Sequence, residues 1–209
     1  MTDTKEWTRR DTIGGVVLAT AVLGVPAFVV HLSGAVADKE ATDRQKAIAA
    51  RVAQLLIPAT DTPGGGDVGA GDFLVLALAH GLDETRQPAS GDAIQGANAG
   101  YRRADGSLDH LSWLEDSLDT RAGGDFLAAP IERQQAALEL IDRAAFATPM
   151  SSSPWSKIKG LLLTGYYTSE VGGSKELRYE LVPGRFDADI PLRPTDRAWS
   201  SDWTAVEFG

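Results

Sequence analysis

After residue 40, apolar residues recur at the three-to-four spacing of a buried helix face in five segments. In the first, Thr42 or Asp43 supplies a cap, Ile48, Val52, Leu55 and Leu56 share one stripe, and Pro58 ends the run. A turn-rich stretch, ATDTPGGGDVGAG, follows. The second segment, from Asp72 to His80, carries Phe73, Leu74, Leu76, Ala77 and Leu78. It is apolar nearly all round, which predicts a central position, and Gly81 ends it. Ser107 is the expected cap of a third helix with Leu108, Leu111, Leu114 and Leu118 on one face. Pro130 suits the first turn of a fourth, with Ile131, Leu138, Ile141 and Ala145 inward. Ser153-Pro154 repeats that start for a fifth, with Trp155, Ile158 and Leu162 inward. Gly165 either ends this helix or marks close packing.

Residues 84–106 are rich in Gly, Ala, Asp and Asn and read as a loop with room for a short helix. From Glu176 to Leu181 charged and apolar residues alternate, the period of an extended strand. The tail beyond Pro183-Gly184 is polar, yet holds Trp199, Trp203 and Phe208. The expected fold is all-α: about five helices over residues 38–175 and an extended C-terminal arm over 176–209.

Residues 1–37 differ in character. Thr8-Arg9-Arg10 is followed by an uncharged run from Ile13 to Val30 and by Ala35-Val36-Ala37, a small-x-small cleavage pattern. This order is that of a twin-arginine export signal, an address for proteins that fold before export. Thr12 departs from that pattern, in which a Phe is common, and leaves a general secretory signal as an alternative. As a helix, the run 13–30 would span roughly 27 Å against a hydrocarbon core of about 30 Å, so an inner-membrane anchor is the second reading. The expected compartment is the periplasm.

The net charge is −9. That excess disfavours nucleic acid, whose phosphates need Lys and Arg to displace counterions, and disfavours an anionic membrane surface as the main partner. With no cysteine in the chain, disulfides, thiolate metal sites and Cys nucleophiles are excluded. Gly64, Gly66 and Gly69 match G-x-G-x-x-G in letters. The dinucleotide fingerprint needs a strand before it, and here a helix ended by proline precedes, so a tight glycine loop between helices is expected. Gly172-Gly173-Ser174-Lys175 is too short for a phosphate loop. His31, His80 and His110 are far apart, with His110 expected on the polar side of its helix, and they form no metal-binding spacing. Glu115-Asp116 and Asp83-Glu84 read as solvated acidic pairs. No catalytic residue and no cofactor or metal ligand is assigned.

Two stretches carry a resemblance. LLIPATDTPGGGDVG at 55–69, with Phe73-Leu74 after it, and GYYTSEVGGSKELRYELVPGRF at 165–186 resemble the gluconate 2-dehydrogenase subunit 3 family. These are the small subunits of membrane-associated, flavin-dependent sugar dehydrogenases. The resemblance runs from about Asp43 to Phe186 but carries nothing over 84–130. It implies a helical, non-catalytic subunit with no cofactor of its own. FAD and the active site would lie in a large flavoprotein subunit of the glucose-methanol-choline oxidoreductase type, and a cytochrome c subunit often takes the electrons onward. The small subunit would support maturation of the large one and supply the export signal for both, here through Arg9 and Arg10. A free-standing enzyme and a membrane-anchoring scaffold are the rival readings.

Aromatic residues crowd the last part of the chain, and aromatics are enriched at interface cores. Tyr166, Tyr167, Glu170, Tyr179, Trp199 and Trp203 are therefore the candidate partner contacts. The alternative for the tyrosines is packing on the chain's own helices. Asp61 reads as a turn residue, whereas Glu170 is open between a cap and a contact.

Overall fold

Local chemistry sets the ends of each helix. The computed structural model describes residues 41–89, 96–147, 153–178, 189, 191, 193 and 195–200. Among them are five α-helices: α1 (Asp43–Leu56), α2 (Ala70–His80), α3 (His110–Ala122), α4 (Ile131–Ala145) and α5 (Pro154–Tyr167). Thr42 starts α1 with a capping box: its hydroxyl accepts from the Gln45 amide at 3.1 Å, and the Gln45 side chain accepts from the Thr42 amide at 3.1 Å. Helix α2 lies between Gly69 (φ +80°) and Gly81 (φ +74°), both left-handed, a conformation open to glycine at little cost. Asp109 caps α3 by accepting from the Ser112 amide. Ser153 caps α5, and Pro154 occupies its first turn, where no amide is needed.

Helix α1 packs on α2, α2 on α5, and α3 on α4, with α5 also meeting α3 and α4. Ile48, Val52, Leu74, Leu78, Leu114, Leu118, Ile141, Ile158 and Leu162 are fully or almost fully buried between them. Each such side chain stabilises the fold by about 1.5–3 kcal/mol. Two glycines let the helices close. A Cβ on Gly71 would lie 2.5 Å from the Ala50 backbone, and one on Gly165 would lie 2.7 Å from the Phe73 ring. Gly165 therefore marks close packing, and α5 continues past it to Tyr167.

Polar cross-links complete the assembly. Arg44 on α1 reaches Glu115 at 2.6 Å and Asp119 at 2.9 Å on α3, and Asp125 beyond it at 2.9 Å. Hydrogen bonding to Asp119 raises the Arg44 pKa still further, against the opposing effect of burial. Buried Gln134 accepts from Arg51 at 2.5 Å and donates to the carbonyls of Leu127 and Ala129.

The structure is all-α, as the periodicity predicts, but three local expectations fail. Leu76 is 45 % exposed, so α2 has an outer face and is not surrounded. Ile131 at the start of α4 also faces outward. Ser107 does not cap α3; it is buried and donates to Asp105, and Leu108 precedes the helix in a bridge with Arg102. Asp116 is exposed, as expected of a solvated pair, and accepts from the Tyr101 hydroxyl at 3.0 Å, while Glu115 is half-buried against Arg44. Of the alternating run 176–181, residues 179–181 lie outside the described residues; Glu176 ends a helical turn and Leu177 is extended. Gly172–Glu176 forms a π-helical turn, and Arg178 then makes an isolated parallel bridge with Trp199.

Two glycines should respond in opposite ways. Gly71→Ala drives a methyl into the α1 backbone and should cost about 2–3 kcal/mol. Gly160→Ala, on α5 with nothing within 4 Å of the new methyl, should gain up to about 1 kcal/mol from helix propensity. Urea unfolding of the two variants measures both.

Candidate functional site

The loop between α1 and α2 is built on glycine and on the side chain of Gln54. The Gly65 amide donates to the Ile57 carbonyl at 2.8 Å, and the Gly66 amide to Gln54 Oε1 at 2.9 Å. The Gly64 amide donates to Asp67 Oδ2 at 3.0 Å. A Cβ on Gly65 would lie 2.5 Å from the Ala53 carbonyl oxygen. These amides are spent within the loop and face α1, so the turn is no phosphate cradle. Its glycines serve backbone contact, as expected for a tight loop between helices.

The far side of the loop receives the C-terminal half of the chain. The Tyr166 hydroxyl donates to the Pro63 carbonyl at 3.2 Å. The buried Thr62 donates its hydroxyl to Glu176 Oε2 at 2.7 Å. The π-turn that carries Glu176 closes on Gly172, where a Cβ would overlap the Tyr166 carbonyl. Further on, Arg197 pairs with Asp61, and this guanidinium holds the Asp61 carboxyl below its ordinary pKa. The Arg178 amide donates to Ala198 O at 2.9 Å, the Ser200 amide donates to Arg178 O at 2.7 Å, and the Arg178 guanidinium lies 5.9 Å from the Trp199 ring centre. The two segments that carry the family resemblance, remote in sequence, thus meet at one joint.

The predicted contact residues separate here. Tyr166 is 1 % exposed and belongs to the core, because its ring packs inward and its hydroxyl finds the Pro63 carbonyl. It is not a surface contact, which corrects the expectation. Tyr167, the next residue, turns outward at 39 % exposure and meets Tyr166 edge to face at 5.2 Å. Burial, then the nearby charge of Glu176, raises its phenol pKa. Glu170 is exposed, and its carbonyl accepts from the Ser174 hydroxyl. Trp199 is 53 % exposed. Arg9, Arg10, Tyr179 and Trp203, and with them the run 13–30, lie outside the described residues. Sequence reasoning missed Thr62, Glu176, Arg178 and the pairing of Asp61 with Arg197. Only their place inside the two resembling stretches, or beside them, could have drawn attention to them.

Other polar groups are committed to structure. A cleft of about 420 Å³ lies among Leu55, Leu56, Leu138, Glu139, Asp142, Arg143 and Trp155. Its Asp142 accepts from the Trp155 indole at 2.7 Å and from Lys159 at 2.7 Å. Among the described residues no group of three or more His, Asp or Glu could hold a metal, and no helix is long and apolar enough to cross a membrane. His110 is buried, against the expectation of a polar face. Its Nδ1 sits 3.0 Å from the Leu108 carbonyl, an acceptor that requires a proton on Nδ1. Burial pushes its pKa down to about 4, opposed by the Leu108 carbonyl and assisted by Arg103.

The joint between the two segments, with Tyr167 and Trp199 exposed beside it, is the candidate site of this helical domain. The family model for gluconate 2-dehydrogenase subunit 3 matches residues 43–184, well over half of the chain. The chain belongs to that family, whose members are subunits of a dehydrogenase complex. Comparisons with curated proteins and with solved structures return no match.

The buried imidazole gives a pH dependence with a defined sign. An unfolded His110 titrates near 6.5 and the folded one near 4. Stability is therefore complete above 6.5 and falls by roughly 3 kcal/mol as pH drops to 4. The depressed carboxylates, Asp61, Asp105 and Asp142, act below their ordinary value of 3.8. His110→Asn keeps a donor for Leu108 but cannot titrate. Its unfolding free energy should be nearly flat between pH 6.5 and 4, measured by urea denaturation at several pH values.

Proposed function

We propose that this chain is the non-catalytic small subunit of a periplasmic, FAD-dependent sugar or polyol dehydrogenase complex. It binds the flavoprotein subunit of the glucose-methanol-choline type, covers its apolar surface during maturation, and carries it through the twin-arginine route by Arg9 and Arg10. The FAD belongs to that partner, and a cytochrome c subunit completes the electron path. The observation that carries this reading is family membership over residues 43–184. One feature is consistent with it: the two resembling segments form one joint with exposed aromatics beside it.

A second reading, a scaffold that anchors the complex in the inner membrane, draws on the uncharged run from Ile13 to Val30. Mass measurement of the N-terminus of the exported chain separates the two: cleavage after Ala37 removes the anchor, and an intact run retains it.

Without this chain, the flavoprotein should accumulate in the cytoplasm or as insoluble protein. Replacing Arg9 and Arg10 together by Lys should retain both subunits in the cytoplasm. Fractionation with dye-linked dehydrogenase activity in a deletion strain reads both outcomes. Fully active, exported flavoprotein in the deletion strain would overturn the proposal.

A further inference from the structure

Trp199 and Arg178 form the most unusual surface feature among the described residues. An indole more than half exposed loses the stabilisation that burial would give it, and an arginine stacks on it. Arg178 is exposed, and no carboxylate pairs with it among the described residues. Trp, Tyr and Arg are the residue types that dominate interface energies, and Tyr167 stands outward at the end of α5, near Glu176. The pair is not left loose. Backbone bonds on both sides of Arg178 hold it to Ala198 and Ser200, Thr62 ties Glu176 two residues before it, and Asp61 ties Arg197 two residues before Trp199.

We propose that the Arg178–Trp199 stack anchors this chain to its flavoprotein partner, and that the Asp61–Arg197 and Thr62–Glu176 contacts are a clasp that positions the anchor. The inference rests on the functional reading above. The matching partner surface is an apolar pocket for the indole with a carboxylate at its edge for Arg178. In a chain of net charge −9, an outward guanidinium beside a flat apolar ring selects that pairing and its orientation. The clasp acts through the anchor. By holding the arm on the glycine loop before contact, it reduces the ordering cost of binding.

The test uses the full chain and the purified flavoprotein subunit of the same complex, with affinity measured by calorimetry and thermal stability measured in parallel. Trp199→Ala should weaken binding by about 30-fold or more, and Arg178→Glu by about tenfold. Asp61→Arg and Arg197→Asp should each weaken it by about tenfold and move the melting temperature by no more than about 2 °C, because the pair is exposed. The double exchange, Asp61→Arg with Arg197→Asp, should restore affinity to within about threefold of the original. Leu140→Glu, on the outer face of α4, should have no effect. Unchanged binding of Trp199→Ala overturns the anchor, as does loss of binding in Leu140→Glu alone. Single exchanges that the double does not rescue overturn the clasp. Absence of binding by the unaltered chain overturns the functional reading itself.

Discussion

The structure depends on a backbone-to-backbone approach that has no room for a Cβ. Between Ile57 and Gly71 the chain leaves α1, turns, and returns along the same helix at contact distance. Gly65 lies against the Ala53 carbonyl, and Gly71 against Ala50. Interiors pack at crystal-like density, so a single methyl here must move a helix. The approach fixes α2 on α1, and α2 then supplies Phe73 for the close contact with Gly165 on α5. It also projects Asp61, Thr62 and Pro63 on the outer side of the turn, where the end of α5 and the arm attach. One steric requirement thus sets the helix arrangement and the joint on which the candidate interface stands.

That history explains what was legible in the sequence. Five helices could be read because each buries a stripe: Ile48 and Val52, Leu74 and Leu78, Leu114 and Leu118, Leu138 and Ile141, Ile158 and Leu162. The ends carried local signals in Thr42, Gly81, Ser153 and Pro154. Periodicity gives only the direction of a face and not how much of it a neighbour covers. Leu76 and Ile131 therefore read as buried and are not. His110 failed the other way, since a polar side chain next to a cap can be buried when a carbonyl such as Leu108 lies within reach. Tyr166 and Tyr167 show the limit for the candidate site. Consecutive residues on a helix point about 100° apart, so one of two equal-looking tyrosines enters the core and the other faces out. The pairing of Asp61 with Arg197 joins residues too distant in sequence for any local pattern to connect them.

The polar groups follow a consistent economy. Among the described residues no buried side-chain nitrogen or oxygen lacks a hydrogen-bond partner. Gln134, Thr62 and Trp155 each bind a group from another turn or helix, and Ser107 binds Asp105 within its own turn. At His110 burial moves the pKa down, away from neutral pH, and the ring sits in a buried bond with the Leu108 carbonyl. These bonds hold turns and helices together.

Why that surface should be clasped follows from the cost of ordering an arm. Each residue fixed on binding loses roughly 1–2 kcal/mol of backbone conformational entropy. A loose arm bearing Trp199 would meet that cost at the moment of contact, and much of the gain from burying the indole would be lost. Held by Asp61 and by Arg178, the segment 197–200 is placed in advance by interactions individually worth little, because most are exposed. Their small contribution to stability and their large effect on geometry are compatible. The glycine loop and α5 provide the rigid base from which weak ties can set the position of an aromatic side chain.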